Sequence, residues 1–546
     1  MIKRFLPLLL IPAVLILYWK TLDNPLIFDD AYSLNLFYYF TKQFNQHPTS
    51  FLMTLWDFLK VFLTEPDRYI AYISFDLIES LSSDFFWQRL LNIILHISNS
   101  LLIYILIFQL FKNRKTALFS CLFFALNPAS IHAVAYLVQR NVLFMLFFGL
   151  LQCILYLRAI ESKSEIKAAT FFVLSLICFT LCKFSKEQGL MFALMYPLLS
   201  IGSTSKRFIL YNILAVPVGI WVGITKFYPV NTFAELHENG RIIIEACGIN
   251  RNGLYFKSVI TQCWLFFKYF FIWAVPLQTS IDMREPLKES IWYAVPFFLL
   301  VCSGAYFIIR NSTRLLGIGI LSSVAMFIPE LSTIRLGEIF VIYRSYAYFG
   351  FIIVVAYFID SIFTMKRWAH FIPFILFIPM IVLTSNRLKH FEKSSWLWMN
   401  AENILTDEVK CQASRIYNWI SVSVLQELTE SENKFRSLLM AKDYADKAMK
   451  IHPKTSLANL GTIYEFMGMY TKAKGIFEKI IDNPKEYNPM DVENAMNGLG
   501  NVEAKMGNNE EAIECYEKTL RLNPQMKSAE ENIKNLKNAM LKAKSN

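Results

Sequence analysis

Apolar residues dominate the chain from its start to about residue 385, in long runs separated by short polar connectors. A membrane-spanning helix needs about 20 consecutive, mostly apolar residues, and runs of roughly this length recur along the whole stretch. After residue 390 the pattern changes to polar segments in which apolar residues recur with helical spacing. We therefore predict an all-α protein with two parts: a polytopic transmembrane bundle in residues 1–390 and a soluble helical domain in residues 391–546.

Hydropathy predicts eleven spans in the N-terminal part. They lie near residues 4–20, 88–110, 117–136, 141–158, 168–183, 187–202, 208–225, 290–309, 315–330, 342–363 and 368–385. The apolar segment 257–277 is not counted, because Gln262 and Lys268 interrupt it. A lysine at the bilayer centre costs about 2.5–3.5 kcal/mol on insertion scales. We expect this segment to lie in the membrane interface or to pack against the bundle.

The charges of the connectors support this count. With eleven spans, every short basic connector falls on one side, which the positive-inside rule assigns to the cytoplasm. These connectors contain Lys112, Arg114, Lys115, Arg158, Lys163, Lys167, Lys206, Arg207, Arg310, Arg314, Lys366 and Arg367. The prediction is a multi-pass protein, in a bacterial inner membrane, with a cytoplasmic N-terminus. Loops 21–87 and 225–289 and the C-terminal domain would then lie in the periplasm.

The N-terminus itself has some features of a signal peptide. Lys3 and Arg4 precede an apolar run, but no cleavage site of small residues follows it. Signal peptides are removed at such a site, so we expect this first helix to be retained.

Composition agrees with a membrane protein, since 18% of the residues are charged, against about 25% in soluble domains. The net charge of +11 comes largely from lysine and arginine beside the spans and does not indicate a nucleic-acid partner. The nine cysteines show no CxxC pair and no metal-ligand spacing. We predict neither a disulfide scaffold nor a zinc site.

The C-terminal part contains a repeated pattern of small and aromatic residues. It reads Leu457, Leu460, Gly461, Tyr464, Ala473, Phe477 in one copy and Met496, Leu499, Gly500, Ala512, Tyr516, Pro524 in the next. This is the pattern of the tetratricopeptide repeat, a pair of antiparallel helices. A degenerate earlier unit ends near Pro453, and 527–546 is predicted to be a capping helix. Such arrays bind proteins along a concave face, so we expect an acceptor protein to dock here.

Two adjacent carboxylates, Asp29 and Asp30, follow the first span. Neighbouring like charges repel, which tends to raise one of the two pKa values. A carboxylate at the membrane boundary is also well placed to act on a lipid-linked substrate. The alternative interpretation is a solvated loop start.

Other ionisable residues lie at the same predicted outer face. Arg89 and His96 lie on one face of the second helix together with Asn92 and Asn99. The remaining candidates are Arg140, Lys186, Glu187, Arg344 and Tyr348. Ionisable residues inside a membrane region are functional candidates, although each alone is also explained by interfacial snorkelling or a bond between helices. Cations and acids together at one face suit an anionic, phosphate-bearing lipid and a proton acceptor.

These motifs resemble those of the GT-C glycosyltransferase superfamily, and more closely the transmembrane and tetratricopeptide repeat-containing protein O-mannosyltransferases and their bacterial relatives. The matching residues are Phe28-Asp29-Asp30, then Arg89, Asn92, His96 and Asn99, then Ala125-Leu126-Asn127-Pro128 with Tyr136 and Gln139-Arg140-Asn141, then Ser185-Lys186-Glu187, and finally Tyr343-Arg344-x-Tyr346-x-Tyr348. The likeness covers nearly the whole chain.

The resemblance implies an inverting enzyme that moves a sugar from a polyprenyl phosphate to a protein hydroxyl at the outer face. Asp29 or Asp30 would act as the base, and Arg140, Lys186 and Arg344 would bind the donor phosphate. Arg89, His96, Glu187 and Tyr348 would support them. No cofactor is certain, and the participation of a divalent metal ion is left open.

Other functions remain compatible with the sequence. An oligosaccharyltransferase, or a ligase or polymerase of a surface glycan, would share the topology and the donor. A non-enzymatic membrane anchor that presents the repeats would leave the outer charges unexplained.

Overall fold

The computed structural model describes residues 7, 10–28, 30, 68–82, 84–203, 207–213, 217, 238–363, 372–524 and 526–545. The chain divides into two compact units. The first, the apolar unit, comprises residues 1–241 and 250–393, and the second, the repeat unit, comprises residues 242–249 and 394–546. The described residues form helices and no β-strand longer than an isolated bridge, in agreement with the predicted all-α class.

The apolar unit is built from helices of very different lengths. Its α-helices are α1 (Leu10–Tyr18), α2 (Tyr69–Leu81), α3 (Phe85–Phe111), α4 (Arg114–Ala125), α5 (Ile131–Val134), α6 (Arg140–Glu161), α7 (Glu165–Ser185), α8 (Met195–Ser200), α9 (Glu238–Ala246, shared with the repeat unit), α10 (Leu254–Ala274), α11 (Val295–Ile309), α12 (Arg314–Leu331), α13 (Gly350–Phe363), α14 (Ile372–Ile375) and α15 (Phe377–Leu388).

Five helices of the described residues are long and apolar enough to cross a membrane. They are Phe85–Phe111, Leu137–Glu161, Glu165–Ser185, Ile291–Ile309 and Arg314–Leu331. The bent pair Arg114–Ala125 and Pro128–Val134 adds a sixth if it forms one span. The predicted count of eleven is therefore too high for the part of the chain that the structure describes.

Breaks in the backbone explain part of the difference, and most of the predicted span 208–225 lies outside the described residues. The predicted span 187–202 consists of a 3₁₀-helix, Glu187–Leu194, and the short helix α8. The predicted span 342–363 consists of a second 3₁₀-helix, Ile342–Ala347, and the 14-residue helix α13. Hydropathy records that these segments are apolar, but it does not detect the breaks. The uncounted segment 257–277 corresponds to α10, which is not among the candidate spans.

Glycines allow α12 to pack closely against its neighbours. A Cβ atom on Gly350 of α13 would lie 2.5 Å from the carbonyl oxygen of Gly319 on α12. A Cβ atom on Gly317 would lie 2.5 Å from the backbone nitrogen of Ile308 on α11. Small residues at helix crossings are typical of membrane bundles, because packing replaces the hydrophobic effect there.

The repeat unit consists of helical hairpins. Its remaining helices are α16 (Ser394–Asn403), α17 (Ser414–Gln426), α18 (Lys434–Ile451), α19 (Leu457–Phe466), α20 (Tyr470–Ile481), α21 (Pro489–Met506), α22 (Asn509–Leu522) and α23 (Lys527–Ser545). The ring of Phe477 lies between two glycines: Cβ atoms on Gly461 and Gly498 would come within 2.4 Å and 2.5 Å of it. An aromatic residue thus fills the space between consecutive repeats, as the sequence pattern predicts.

A disulfide bond lies inside the repeat unit. Cys247, in the segment that follows α9, is bonded to Cys411. The cysteine pattern predicts no disulfide scaffold and does not anticipate this single bond. The two residues are 164 positions apart, so no local motif marks them as a pair. The bond attaches part of the predicted outer loop 225–289 covalently to the repeat helices.

Candidate functional site: two clusters of buried charge

The first cluster, the Arg140 cluster, contains Asp30, Gln88, Arg89, Asn92 and Arg140. Asp30 is fully buried. One of its carboxylate oxygens accepts a hydrogen bond from the backbone nitrogen of Val138 at 3.0 Å, and the other accepts one from Ile27 at 3.1 Å. Arg89 and Arg140 both attract its charge. Asp30 therefore holds backbone in place, and its neighbour Asp29 lies outside the described residues.

Arg140 is fully buried and is surrounded by acceptors of the protein itself. Its Nε donates to Asn92 Oδ1 at 2.8 Å, and its terminal nitrogens donate to Gln88 Oε1 at 2.8 Å, to Gln88 O at 2.5 Å and to Ser74 Oγ at 3.1 Å. The guanidinium carbon lies 3.8 Å from the centre of the Phe75 ring. This arrangement favours a structural role, and phosphate binding by Arg140 stays an untested prediction.

Arg89 and His96 are also engaged by neighbouring groups. Arg89 donates to the carbonyl oxygens of Pro25 at 2.6 Å and Ala135 at 3.3 Å. His96 Nε2 lies 3.0 Å from Ala125 O, which can only accept, so this nitrogen carries the proton. The hydroxyl of Tyr346 then donates to His96 Nδ1 at 2.8 Å. Both residues thus connect the second predicted helix to the surrounding backbone.

The second cluster, the Lys186 cluster, forms where three elements end or break. Lys186 is the extended residue between α7 and the 3₁₀-helix Glu187–Leu194. Glu330 lies in the last turn of α12, and Arg344 lies in the 3₁₀-helix Ile342–Ala347. The full cluster consists of Arg68, Lys186, Glu187, Glu330, Arg335, Glu338 and Arg344.

Acids and arginines pair within this cluster. Glu330, which is fully buried, accepts from Arg344 at 3.0 Å and from Gln188 at 3.0 Å, and it lies 3.5 Å from Arg335 Nε. Glu338 accepts from the other terminal nitrogen of Arg344 at 2.6 Å. Arg344 is therefore held between two carboxylates, so it is fixed in position rather than free to reorient.

Lys186 differs from the arginines because the described residues offer its ammonium group no hydrogen-bond acceptor. The residue is 4% exposed. Its Nζ lies 5.2 Å from the centre of the Tyr343 ring, a cation–π contact. The pKa of Lys186 is lowered to about 7, mainly by burial; Glu187 and Glu330 oppose this effect, and Arg68 and Arg344 add to it. A buried cation without an acceptor is costly, so this is a place where a bound anion would stabilise the protein.

Glu187 and Tyr348 are the remaining predicted site residues in this region. Burial alone would raise the pKa of Glu187, but Lys186 and Arg68 lower it below its usual value. Tyr348 lies near Glu330 and Arg344, and its buried hydroxyl has no hydrogen-bond partner in the described part of the protein. With Lys186 protonated, the four cations and three carboxylates of the cluster leave one positive charge in excess.

Aromatic rings lie between the Lys186 cluster and Phe28, the residue that precedes the predicted base in the sequence. Phe28 directly precedes Asp29 and has a φ of 50°, in the left-handed region that residues with a Cβ rarely adopt. Its ring centre lies 5.9 Å from that of Tyr136, which lies 6.4 Å from that of Tyr343. The start of the predicted loop 21–87 is thus separated from Lys186 by these two tyrosine rings.

Glu330 and Arg68 are members of the cluster that the sequence analysis does not name. The sequence pattern could have marked Glu330 as a candidate, because it is an acidic residue at the end of an apolar run. Arg68 lies in the long predicted loop 21–87, where nothing in the local pattern distinguishes it from other loop cations. The described residues contain no group of three or more histidine, cysteine or acidic side chains that is arranged to bind a metal ion.

Comparisons with known proteins bear on the repeat unit. Residues 454–486 and 494–526 each match the tetratricopeptide repeat family, which confirms the two predicted repeats. The photosystem I assembly protein Ycf3 of Rippkaea orientalis (strain PCC 8801 / RF-1) is 33% identical over 94 residues, which are 16% of this chain and 54% of that protein. The chain thus spans about half the length of this relative. No solved structure matches the chain.

Proposed function

We propose that this protein is an integral membrane glycosyltransferase that moves a sugar from a polyprenyl phosphate to a protein hydroxyl at the extracytoplasmic face. The observation that carries the proposal is Lys186, a nearly buried residue whose ammonium group has no acceptor among the described residues. It lies in a cluster with one excess positive charge, at the end of an apolar helix. A phosphate attached to a membrane lipid would supply the missing negative charge there.

The proposed reaction is a single displacement. A carboxylate removes the proton of the acceptor hydroxyl as its oxygen attacks the anomeric carbon, and the polyprenyl phosphate leaves with the bonding electrons. Lys186 and Arg344 offset the charge of the departing phosphate. Asp29 is the proposed base, because both oxygens of Asp30 accept backbone hydrogen bonds. Asp30 is proposed to hold the loop in position.

The proposed compartment has independent support. A disulfide bond persists in oxidising compartments such as the periplasm and is rare in the cytosol. Cys247 belongs to a predicted outer loop and Cys411 to the C-terminal part, so their bond agrees with an extracytoplasmic location of both. A membrane-impermeant thiol reagent should label the two cysteines of intact spheroplasts after reduction and not before. Labelling only after the membrane is permeabilised would contradict the proposed topology.

The repeats are proposed to bind the acceptor protein. A scaffold function without catalysis would explain the repeats, but it would leave the Lys186 cluster without a purpose. Transfer of a whole oligosaccharide, or ligation of a surface glycan, would use the same donor chemistry. The mass of the sugar found on the product separates these reactions.

Transfer by the purified full-length protein tests the proposal. A synthetic polyprenyl-phosphate sugar and an acceptor peptide should give an inverted glycoside. Asp29→Asn should lower the rate by about 10²–10⁴-fold, which is the usual contribution of a general base. Absence of transfer by the wild-type protein with a panel of donor sugars, or full activity of Asp29→Asn, would contradict the proposed reaction.

A further inference from the structure

Helix α10 carries a row of polar side chains along an otherwise apolar surface. They are Tyr255, Ser258, Gln262, Tyr269 and Trp273, and their spacing of three, four or seven residues puts them on one face of the helix. Gln262 is fully buried, although an amide inside an apolar helix is costly unless it forms a hydrogen bond. The hydrogen bonds of these side chains explain why polar groups occur on this helix.

All five side chains bond to one segment, residues 331–345. Tyr255 donates to Leu331 O at 3.0 Å, Ser258 accepts from Arg335 N at 3.0 Å, Gln262 donates to Ile339 O at 2.8 Å, and Trp273 donates to Ser345 Oγ at 2.8 Å. The Tyr269 hydroxyl makes two bonds to a single residue: it accepts from Val341 N at 3.1 Å and donates to Val341 O at 3.2 Å.

The contacted segment needs such partners because most of it is irregular. Between the end of α12 and the 3₁₀-helix Ile342–Ala347, its backbone groups are not satisfied within a helix. Buried backbone groups are almost always paired, so α10 supplies the bonds that regular structure would provide elsewhere. This same segment contains Arg335, Glu338 and Arg344 of the Lys186 cluster.

We propose that Tyr269 and Gln262 are positioning residues, which hold the segment 331–345 so that Arg344 meets both Glu330 and Glu338 beside Lys186. What the site binds rests on the proposed function, but the positioning of residues 331–345 by α10 does not depend on that function. A displacement of about 1 Å is enough to impair a site of this kind. The inference also explains why α10 has polar residues where a membrane span would be apolar.

Tyr269→Phe is the sharpest test, because it removes one hydroxyl and keeps the ring. Gln262→Leu is a second variant, in which an apolar side chain of similar size replaces the amide. The matched control is Thr261→Val on the same helix, which removes a hydroxyl that accepts from Lys288 N at 2.8 Å, outside the positioned segment. The first measurement is hydrogen exchange of peptides that cover residues 332–345 in the purified full-length protein.

Exchange in this segment should be about five to ten times faster in Tyr269→Phe and Gln262→Leu, the effect expected for the loss of a hydrogen bond, and unchanged in Thr261→Val. Unchanged exchange in both variants, or equal acceleration in the control, would overturn the inference. This result does not depend on any enzymatic activity.

The second measurement is binding of a polyprenyl-phosphate sugar in nanodiscs. Tyr269→Phe should weaken binding about five- to tenfold in the wild-type background and have no further effect in an Arg344→Gln background. If the losses of binding caused by Tyr269→Phe and Arg344→Gln add up in the double variant, Tyr269 does not act through Arg344. That result would overturn the proposed coupling. Equal binding by the wild-type protein, Arg344→Gln and Lys186→Gln would contradict the proposed function instead, while the exchange result would still decide the positioning role.

Discussion

The two charged clusters of the apolar unit differ in the acceptors that the protein offers to their cations. In the Arg140 cluster, Asn92, Gln88 and Ser74 surround the guanidinium with acceptors of the protein itself. In the Lys186 cluster, two arginines are paired with carboxylates, but the described residues leave the ammonium of Lys186 without an acceptor. A buried cation held by acceptors of the protein helps to fix the fold, whereas a cation without an acceptor indicates a place for a ligand.

The largest expected effect comes from removing the central cation of the Arg140 cluster. Arg140→Gln should lower the free energy of unfolding by about 3–5 kcal/mol, because removing one side of a buried charged network leaves the other side uncompensated. Lys186→Gln should leave stability unchanged or raise it, since it removes a cation that has no acceptor. Thermal unfolding of the two purified variants checks this contrast. Equal stability losses in both would contradict the distinction between the clusters.

The second effect concerns use of the donor. Charge-assisted hydrogen bonds contribute about 1.5–3 kcal/mol, which corresponds to about 10–100-fold in affinity. Lys186→Gln should therefore raise the KM for the polyprenyl-phosphate sugar by about this factor and leave the KM for an acceptor peptide unchanged. A variant in which the KM values for donor and acceptor rise together would indicate a general defect of the site.

The third effect is a dependence on pH. The lowered pKa of Lys186, about 7, means that the ammonium is charged below this pH and loses its charge as the pH rises through it. Binding of the donor, whose phosphodiester keeps its charge, should weaken about tenfold between about pH 6 and about pH 8. Lys186→Arg, which stays charged, should give a flat profile, and a slope that persists in Lys186→Arg would assign the titration to another group.

The smallest effect comes from two tyrosines that are close in sequence. The Tyr346 hydroxyl is bonded to His96 and Asn99, whereas that of Tyr348 has no partner in the described part of the protein. Tyr346→Phe should destabilise the protein by about 1–3 kcal/mol, because it leaves buried partners unsatisfied. Tyr348→Phe should change stability by about 0.5 kcal/mol or less and weaken donor binding a few-fold. The reverse order of stabilities would contradict the assignment.

Sequence patterns predicted the helical class and the repeats because these depend on local spacing. The glycine and aromatic positions of the repeats, such as Gly461 and Phe477, mark contacts between adjacent helices. The described residues contain fewer candidate spans than the eleven predicted, because hydropathy does not detect broken helices such as 187–202. The Cys247–Cys411 bond was missed because nothing local connects residues so far apart.

The candidate site was predicted in part. Lys186, Glu187 and Arg344 do lie together, whereas Arg140 lies among other partners. In the sequence Lys186, Arg344 and Arg140 look alike, because each is a cation near the end of an apolar run. What distinguishes them is the set of acceptors around each one, and those acceptors come from distant parts of the chain, as Glu330 does for Arg344.

The central claim is that Lys186 and its neighbours bind the phosphate of a lipid-linked sugar. Its most direct test is titration of the full-length protein with a polyprenyl-phosphate sugar and with a neutral prenyl glycoside of the same chain length. The wild-type protein should bind the charged lipid about 10–100-fold more tightly, and Lys186→Gln should remove this preference. Equal affinity of the wild-type protein for both lipids, or a preference that survives in Lys186→Gln, would contradict the claim.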